Sequence, residues 1–125
     1  MRYYHIWFQT KHRKFLLVDV IDNKVHELFE QIAIEKKIKL LAHGTLLYHA
    51  HLLIGIEDIK DLSWSVKLFK GISARRIFQE FPMLKEQLRT NNFWAKSFAA
   101  KEVPEKALPA ISKYILNQKD DLHVI

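Results

Sequence analysis

The sequence contains no cysteine. Disulfides and thiolate metal sites are excluded, as suits a reducing compartment. Glycine and proline number three each in 125 residues, too few for a linker-rich or low-complexity chain. No apolar run reaches the roughly 20 residues of a membrane span, and the first residues carry no signal-peptide core. A cytoplasmic protein without a membrane partner is expected. Acidic side chains are outnumbered, 14 against 20 basic ones, so the formal charge is +6. That balance favours a phosphate-rich partner without specifying one. What remains is apolar: a hydrophobic share of 49% is enough for a core, and one domain spanning residues 1–125 is expected.

The most informative stretch is YHAHLLIG, residues 48–55. It reads as a β-strand, and side chains of a strand alternate faces. Ala50, Leu52, Ile54 and Ile56 form an apolar row suited to a core. His49 and His51 leave the opposite side together. Two neutral imidazoles at that spacing can hold one divalent ion. On the pair alone, surface decoration or a hydrogen-bonded pair is the commoner outcome.

Residues 2–10 alternate as a strand, with Tyr4, Ile6 and Phe8 in one row and Tyr3, His5, Trp7 and Gln9 in the other. The second row suits partial burial first, and a stacking surface for nucleobases second. The basic turn KHRK at 11–14 reads equally as a solvated loop or a phosphate contact through Lys11 and Arg13. Asp22 is expected to cap a helix running to about Lys37, with Val25, Leu28, Phe29 and Ile32 as its core stripe. Residues 38–47 are extended, interrupted by Gly44. Asp61 is expected to cap a second helix. Its basic residues Lys67, Lys70, Arg75 and Arg76 lie off the apolar stripe, where they form a solvated face or follow a nucleic-acid backbone. Gly71 marks a bend or close contact, and Pro82 closes the segment. Residues 92–103 read as a fourth strand. A last helix begins near Pro109 and runs to about Lys119. It places Tyr114 and Gln118 one turn apart.

The order is strand, helix, strand, strand, helix, strand and one extra helix. It predicts an α+β fold: a ferredoxin-like βαββαβ antiparallel sheet with a C-terminal helix carrying Tyr114. Both crossover helices then cover one sheet face. The other face holds His5, Trp7, His49 and His51, and the extra helix is free to approach it.

Several motifs resemble those of the single-tyrosine HUH transposases of insertion sequences, the IS-two-hundred family. YYHIWFQTKHRKFLL is similar to the opening strand and basic turn. YHAHLLIGI is similar to the His-hydrophobic-His strand, LFKGISARRIFQEFP to the second helix, and FWAKSF to the fourth strand. YILNQ resembles the tyrosine helix, with Tyr114 as nucleophile and Gln118 as third metal ligand beside His49 and His51. The family usually has Pro then Asp or Asn before the first histidine; here Leu47 and Tyr48 stand there. A glycine usual after the aromatic pair of the fourth strand is absent too.

The resemblance implies a transposase that cleaves and rejoins single-stranded DNA through a 5′-phosphotyrosine, with a free 3′-OH and a divalent metal, Mg²⁺ or Mn²⁺. It also implies DNA hairpins near the element ends as partners, and a homodimer whose tyrosine helix is able to serve its own or the partner's histidines. The site of action is the cytoplasm of a prokaryote, at its nucleoid. The competing expectation is a domesticated, non-catalytic nucleic-acid-binding module of the same fold. RNA-recognition domains share that plan, but HAHLLIGI occupies the place of their Gly-aromatic motif.

Overall fold

Alternation in the first residues produces β1, Arg2–Gln9, whose apolar row is buried while the Tyr3, His5, Trp7 and Gln9 row is half-covered. In the computed structural model, which describes residues 1–119, a short 3₁₀ turn (Lys11–Arg13) leads to α1, Asp19–Lys36. The chain continues through β2, Lys39–Leu46, and β3, His49–Ile56. Then follow α2, Asp61–Glu80, and α3, Met83–Leu88. The last elements are β4, Ala99–Val103, and α4, Leu108–Leu116. No helix among the described residues is long and apolar enough to cross a membrane.

The sheet order is β2-β3-β1-β4, with each pair antiparallel. β1 and β3 are central, as the ferredoxin-like plan requires. Helices α1 and α2 cover one face. Phe29, Phe69, Ile32 and Ile77 interlock there with Ile6, Phe8, Leu52 and Ile54, all at most 2% exposed. On the other face a smaller cluster of Ala42, Leu53, Val103 and Ile115 holds α4.

Three local expectations need correction. Asp22 does not cap α1: the helix starts at Asp19, and Asp22 lies buried inside the first turn. Its carboxylate is used for tertiary bonds instead, as described below. Asp61 opens α2 without a side-chain cap. Its first amides are satisfied by backbone instead: the Asp61 N–H donates to the Asp58 carbonyl at 2.9 Å and the Leu62 N–H to the Ile59 carbonyl at 3.1 Å. Gly71 marks neither bend nor contact, because α2 is continuous and a Cβ there would meet nothing within 4 Å.

The fourth strand is shorter than the 92–103 expected. Phe93 and Trp94 enter the main core, and the Trp94 indole N–H donates to Ser73 Oγ at 2.9 Å. Regular pairing then stops. The Lys70 ammonium donates to the carbonyls of Ala95, Lys96 and Ser97 at 2.6, 3.2 and 3.0 Å. A strand sends successive carbonyls to opposite sides, so three converging on one cation cannot be strand. Burial lowers the Lys70 pKa. Lys70→Met leaves three carbonyls without that donor. It should cost about 1–3 kcal/mol in denaturant unfolding, as expected for unmade hydrogen bonds of partly buried groups.

Candidate active site

β3 presents His49 and His51 on the sheet face opposite α1 and α2. In the antiparallel register His51 pairs with Trp7 of β1 and with Gly44 of β2. His5, two residues before Trp7, therefore lies diagonally across from His51 on the same face. Its Nε2 is 2.9 Å from His51 Nδ1, and His51 Nε2 is 2.8 Å from His49 Nδ1. The result is a chain of three imidazoles with His51 in the middle. Sequence alternation had put His5 on this face, yet only the register shows that it touches His51.

His51 is 6% exposed, and burial, reinforced by the neighbouring His49 and His5, pushes its pKa down to about 3. Burial also lowers His5 and His49. All three are therefore neutral at physiological pH, the form in which an imidazole keeps a lone pair for a metal. His49 Nδ1 and His51 Nε2 face each other at 2.8 Å, so an ion bound there would take both lone pairs in place of the bond between the two rings. Among the described residues no group of three or more His, Cys, Asp or Glu forms a metal cage. An ion here needs a different third donor.

α4 brings Tyr114 to the histidines. Its ring centroid lies 6.0 Å from those of both His5 and His51, edge-on to each. The ring is 51% exposed. Gln118, one turn on, is buried, and its Nε2 donates to the Tyr114 carbonyl at 3.0 Å. With the nitrogen so used, the amide oxygen is the end left for a ligand.

Two features seat α4. The first is Gly44, beside His51. A Cβ built on it would lie 1.9 Å from the Ile115 carbonyl oxygen. Glycine is needed here for space: the helix backbone passes directly over the strand. Gly44→Ala should lift the helix and lower the yield of any Tyr114 chemistry at least about tenfold, since displacements near 1 Å carry such losses. Amide exchange across 111–116 would report the loosening directly.

The second is a polar latch. Lys119, just past α4, pairs with the Asp22 carboxylate, which also accepts from Thr45 Oγ1 and lies 3.5 Å from His26 Nε2. His26 meets His43 at 2.7 Å, and His43 meets Glu30 at 3.0 Å. Burial alone would raise the Asp22 pKa, but bonds from His26, Lys119 and Thr45 outweigh it and hold it at about 2. A carboxyl depressed on folding adds stability above its ordinary value of 3.8, and that stability is lost as pH falls towards 2. Burial likewise lowers His43, against the opposing pull of Glu30, so its contribution fades as pH falls below 6.5. Thermal unfolding should therefore show a falling midpoint with acid. The part lost between pH 3.8 and 2 should shrink in Asp22→Asn.

The basic residues divide. Arg13 is exposed and Lys11 half-exposed on the turn after β1. Lys67 and Arg75 are exposed on α2, which lies on the face away from the imidazoles. Lys70 is committed to the 95–97 carbonyls. Arg76 forms a two-pronged pair with Glu35, at 3.2 and 2.9 Å. The four α2 cations thus do not converge on the candidate site.

Comparison with known proteins gives the family and the fold. A family model described as "Transposase IS200 like" matches residues 1–118. The chain is 32% identical over 117 residues to the ISDra2 transposase TnpA of Deinococcus radiodurans, covering 94% of this chain and 84% of that protein. It is 25% identical to the transposase for insertion sequence element IS200 of Salmonella typhimurium, covering 94% and 77%. Among solved structures, one of a Deinococcus radiodurans R1 protein described as a transposase superposes with a TM-score of 0.76. It is 33% identical and covers 94% of this chain and 92% of that one. A REP-associated tyrosine transposase bound to a REP hairpin shares the fold, at TM-score 0.64 and 13% identity, over 99% of this chain and 69% of that one.

Proposed function

This chain belongs to the family of IS200-like transposases, and from that premise we propose that it cleaves and rejoins single-stranded DNA through a covalent bond to Tyr114. His49, His51 and Gln118 are the proposed holders of a divalent ion, Mg²⁺ or Mn²⁺. The observation that carries the reading is the approach of the Tyr114 ring to within 6.0 Å of the His51 ring.

A phenol titrates near ~10 and is mostly protonated at neutral pH. The half-exposed position of Tyr114 lets its proton leave to water as the oxygen attacks phosphorus. A P–O(Tyr) bond forms, the bond to the 3′ oxygen breaks, and that oxygen takes up a proton as a free 3′-OH. The 5′-phosphotyrosine keeps the phosphodiester's energy, so attack by a 3′-OH reverses the step without ATP. A bound divalent ion would polarise the phosphoryl oxygens and orient them for in-line attack. His5 holds His51 through its Nδ1, which orients the ring and leaves its Nε2 turned towards His49 Nδ1. Three neutral ligands leave the ion its full charge for an anionic substrate.

The proposed substrate carries hairpins near the ends of the mobile element. A REP-associated tyrosine transposase of the same fold, bound to a REP hairpin, supports this. A homodimer is part of the proposal. The docking of α4 on its own sheet supports attack by the tyrosine on DNA held by its own subunit.

The test is incubation of the protein with single-stranded hairpin DNA and Mn²⁺, followed by denaturing electrophoresis. A denaturation-resistant adduct is expected with single strands and none with duplex. Tight binding with no adduct on any DNA would favour a non-catalytic module.

A further inference from the structure

The turn ahead of His49 is built more rigidly than a hairpin needs. Leu47 has φ 53, a left-handed conformation that a bulky residue adopts only when its surroundings hold it there. Two bonds do so. The Leu17 N–H donates to the Leu47 carbonyl at 2.9 Å, and the Thr10 N–H donates to the Tyr48 carbonyl at 2.8 Å. They tie the turn to both ends of segment 10–17. With the turn so held, the Phe15 and Tyr48 rings lie side by side in nearly parallel planes, 9° apart, with centroids offset to 5.9 Å.

This pair is not core. Phe15 is 62% exposed and Tyr48 is only partly covered. Lys11, Arg13 and Lys14 stand on the same short segment. Among the described residues none of these three forms an ion pair. At its other end the pair is continuous with the candidate site: Tyr48 meets the His49 ring edge-on at 5.2 Å. Flat rings held in water, beside cations that form no ion pair among the described residues, match the chemistry of a nucleotide: a π-face for the base and positive charge for the phosphate. A basic peptide would be repelled, and an acidic one gains nothing from the stacked rings. A base inside a duplex has both faces already covered.

We propose that Phe15 and Tyr48 form a stacking platform for one unpaired nucleobase flanking the phosphate at Tyr114, with the basic turn holding the adjoining backbone. The proposal rests on the reading of this site as one for single-stranded DNA. Stacking tolerates any base, so the platform selects for a single strand rather than for a sequence.

Fluorescence anisotropy of labelled single-stranded oligonucleotides, without added metal, reads binding independently of cleavage. Phe15→Ala and Tyr48→Ala should each weaken binding about tenfold. Their salt dependence should keep its slope, whereas Lys11→Ala should reduce the slope by about one. Duplex affinity should stay unchanged in the aromatic variants. Replacing one nucleotide at a time by an abasic unit should find one position that reproduces the loss, and there Phe15→Ala should cost nothing further. Phe15→Trp should bind as the parent does; Phe15→Leu, which keeps an apolar side chain at an exposed position, should behave as Phe15→Ala. Equal losses for single strand and duplex, or no position at which the abasic unit and Phe15→Ala overlap, would overturn the platform. A platform confirmed here while no adduct forms would overturn the chemistry of Tyr114 alone.

Discussion

Tyr114→Phe should abolish the covalent protein–DNA adduct while DNA binding and the fold persist. The substitution removes one oxygen atom. The ring that lies edge-on to His5 and His51 is kept, and so is the half-exposed setting of the side chain. Helix packing rests on Ile115, fully buried among Ala42, Leu53 and Val103, and on the Gly44 notch, none of which involves the hydroxyl. Loss of the nucleophile itself should lower adduct formation by more than about 10³-fold, because no neighbouring group replaces it. Gel electrophoresis under denaturing conditions reads the loss, and anisotropy confirms retained binding. An adduct that survives at parental yield would mean a different nucleophile.

The second large effect is expected at the middle imidazole. His51→Ala removes the partner of both His5 and His49 at once, leaving two half-buried rings without their bonds. It also removes one of two proposed nitrogen ligands. Adduct formation should fall by at least about 100-fold, at the upper end of losses seen when even supporting groups of a metal site are removed. Mn²⁺ titration by calorimetry should show the affinity falling in parallel. His49→Ala should act in the same direction. In the parent protein a chelator should suppress the adduct, and added Mn²⁺ should restore it. An unchanged adduct yield in chelator would separate the tyrosine chemistry from any ion.

Much of the architecture could be read from alternation alone. In residues 2–9 and 49–56 a period of two separates an apolar row from a histidine row, and the sheet keeps that separation. The seven-element order then placed β1 and β3 at the centre and left one face free for α4. The remainder depended on contacts distant in sequence. Asp22 looked like a helix cap because Asp is a good cap, but Thr45 and Lys119, 23 and 97 residues away, draw it inward. Lys70 looked like a solvated cation until the chain at 95–97 folded around it. α3 has only six residues and no buried side chain, so it left no periodic signal. Gly44 was visible as an interruption, yet its reason lies in the Ile115 carbonyl, which only the folded chain brings near. Leu47 and Tyr48 carry none of the usual turn residues; the turn is enforced from outside, by Thr10 and Leu17.

Mass spectrometry of the trapped adduct tests the central claim most directly. The protein, reacted with a single-stranded hairpin and Mn²⁺, is digested with protease and nuclease, and the modified peptide is fragmented. The nucleotide phosphate should sit on Tyr114 and on no other residue. A phosphate found instead on Tyr48, Tyr3 or any other side chain would contradict the assignment of Tyr114 as the attacking group.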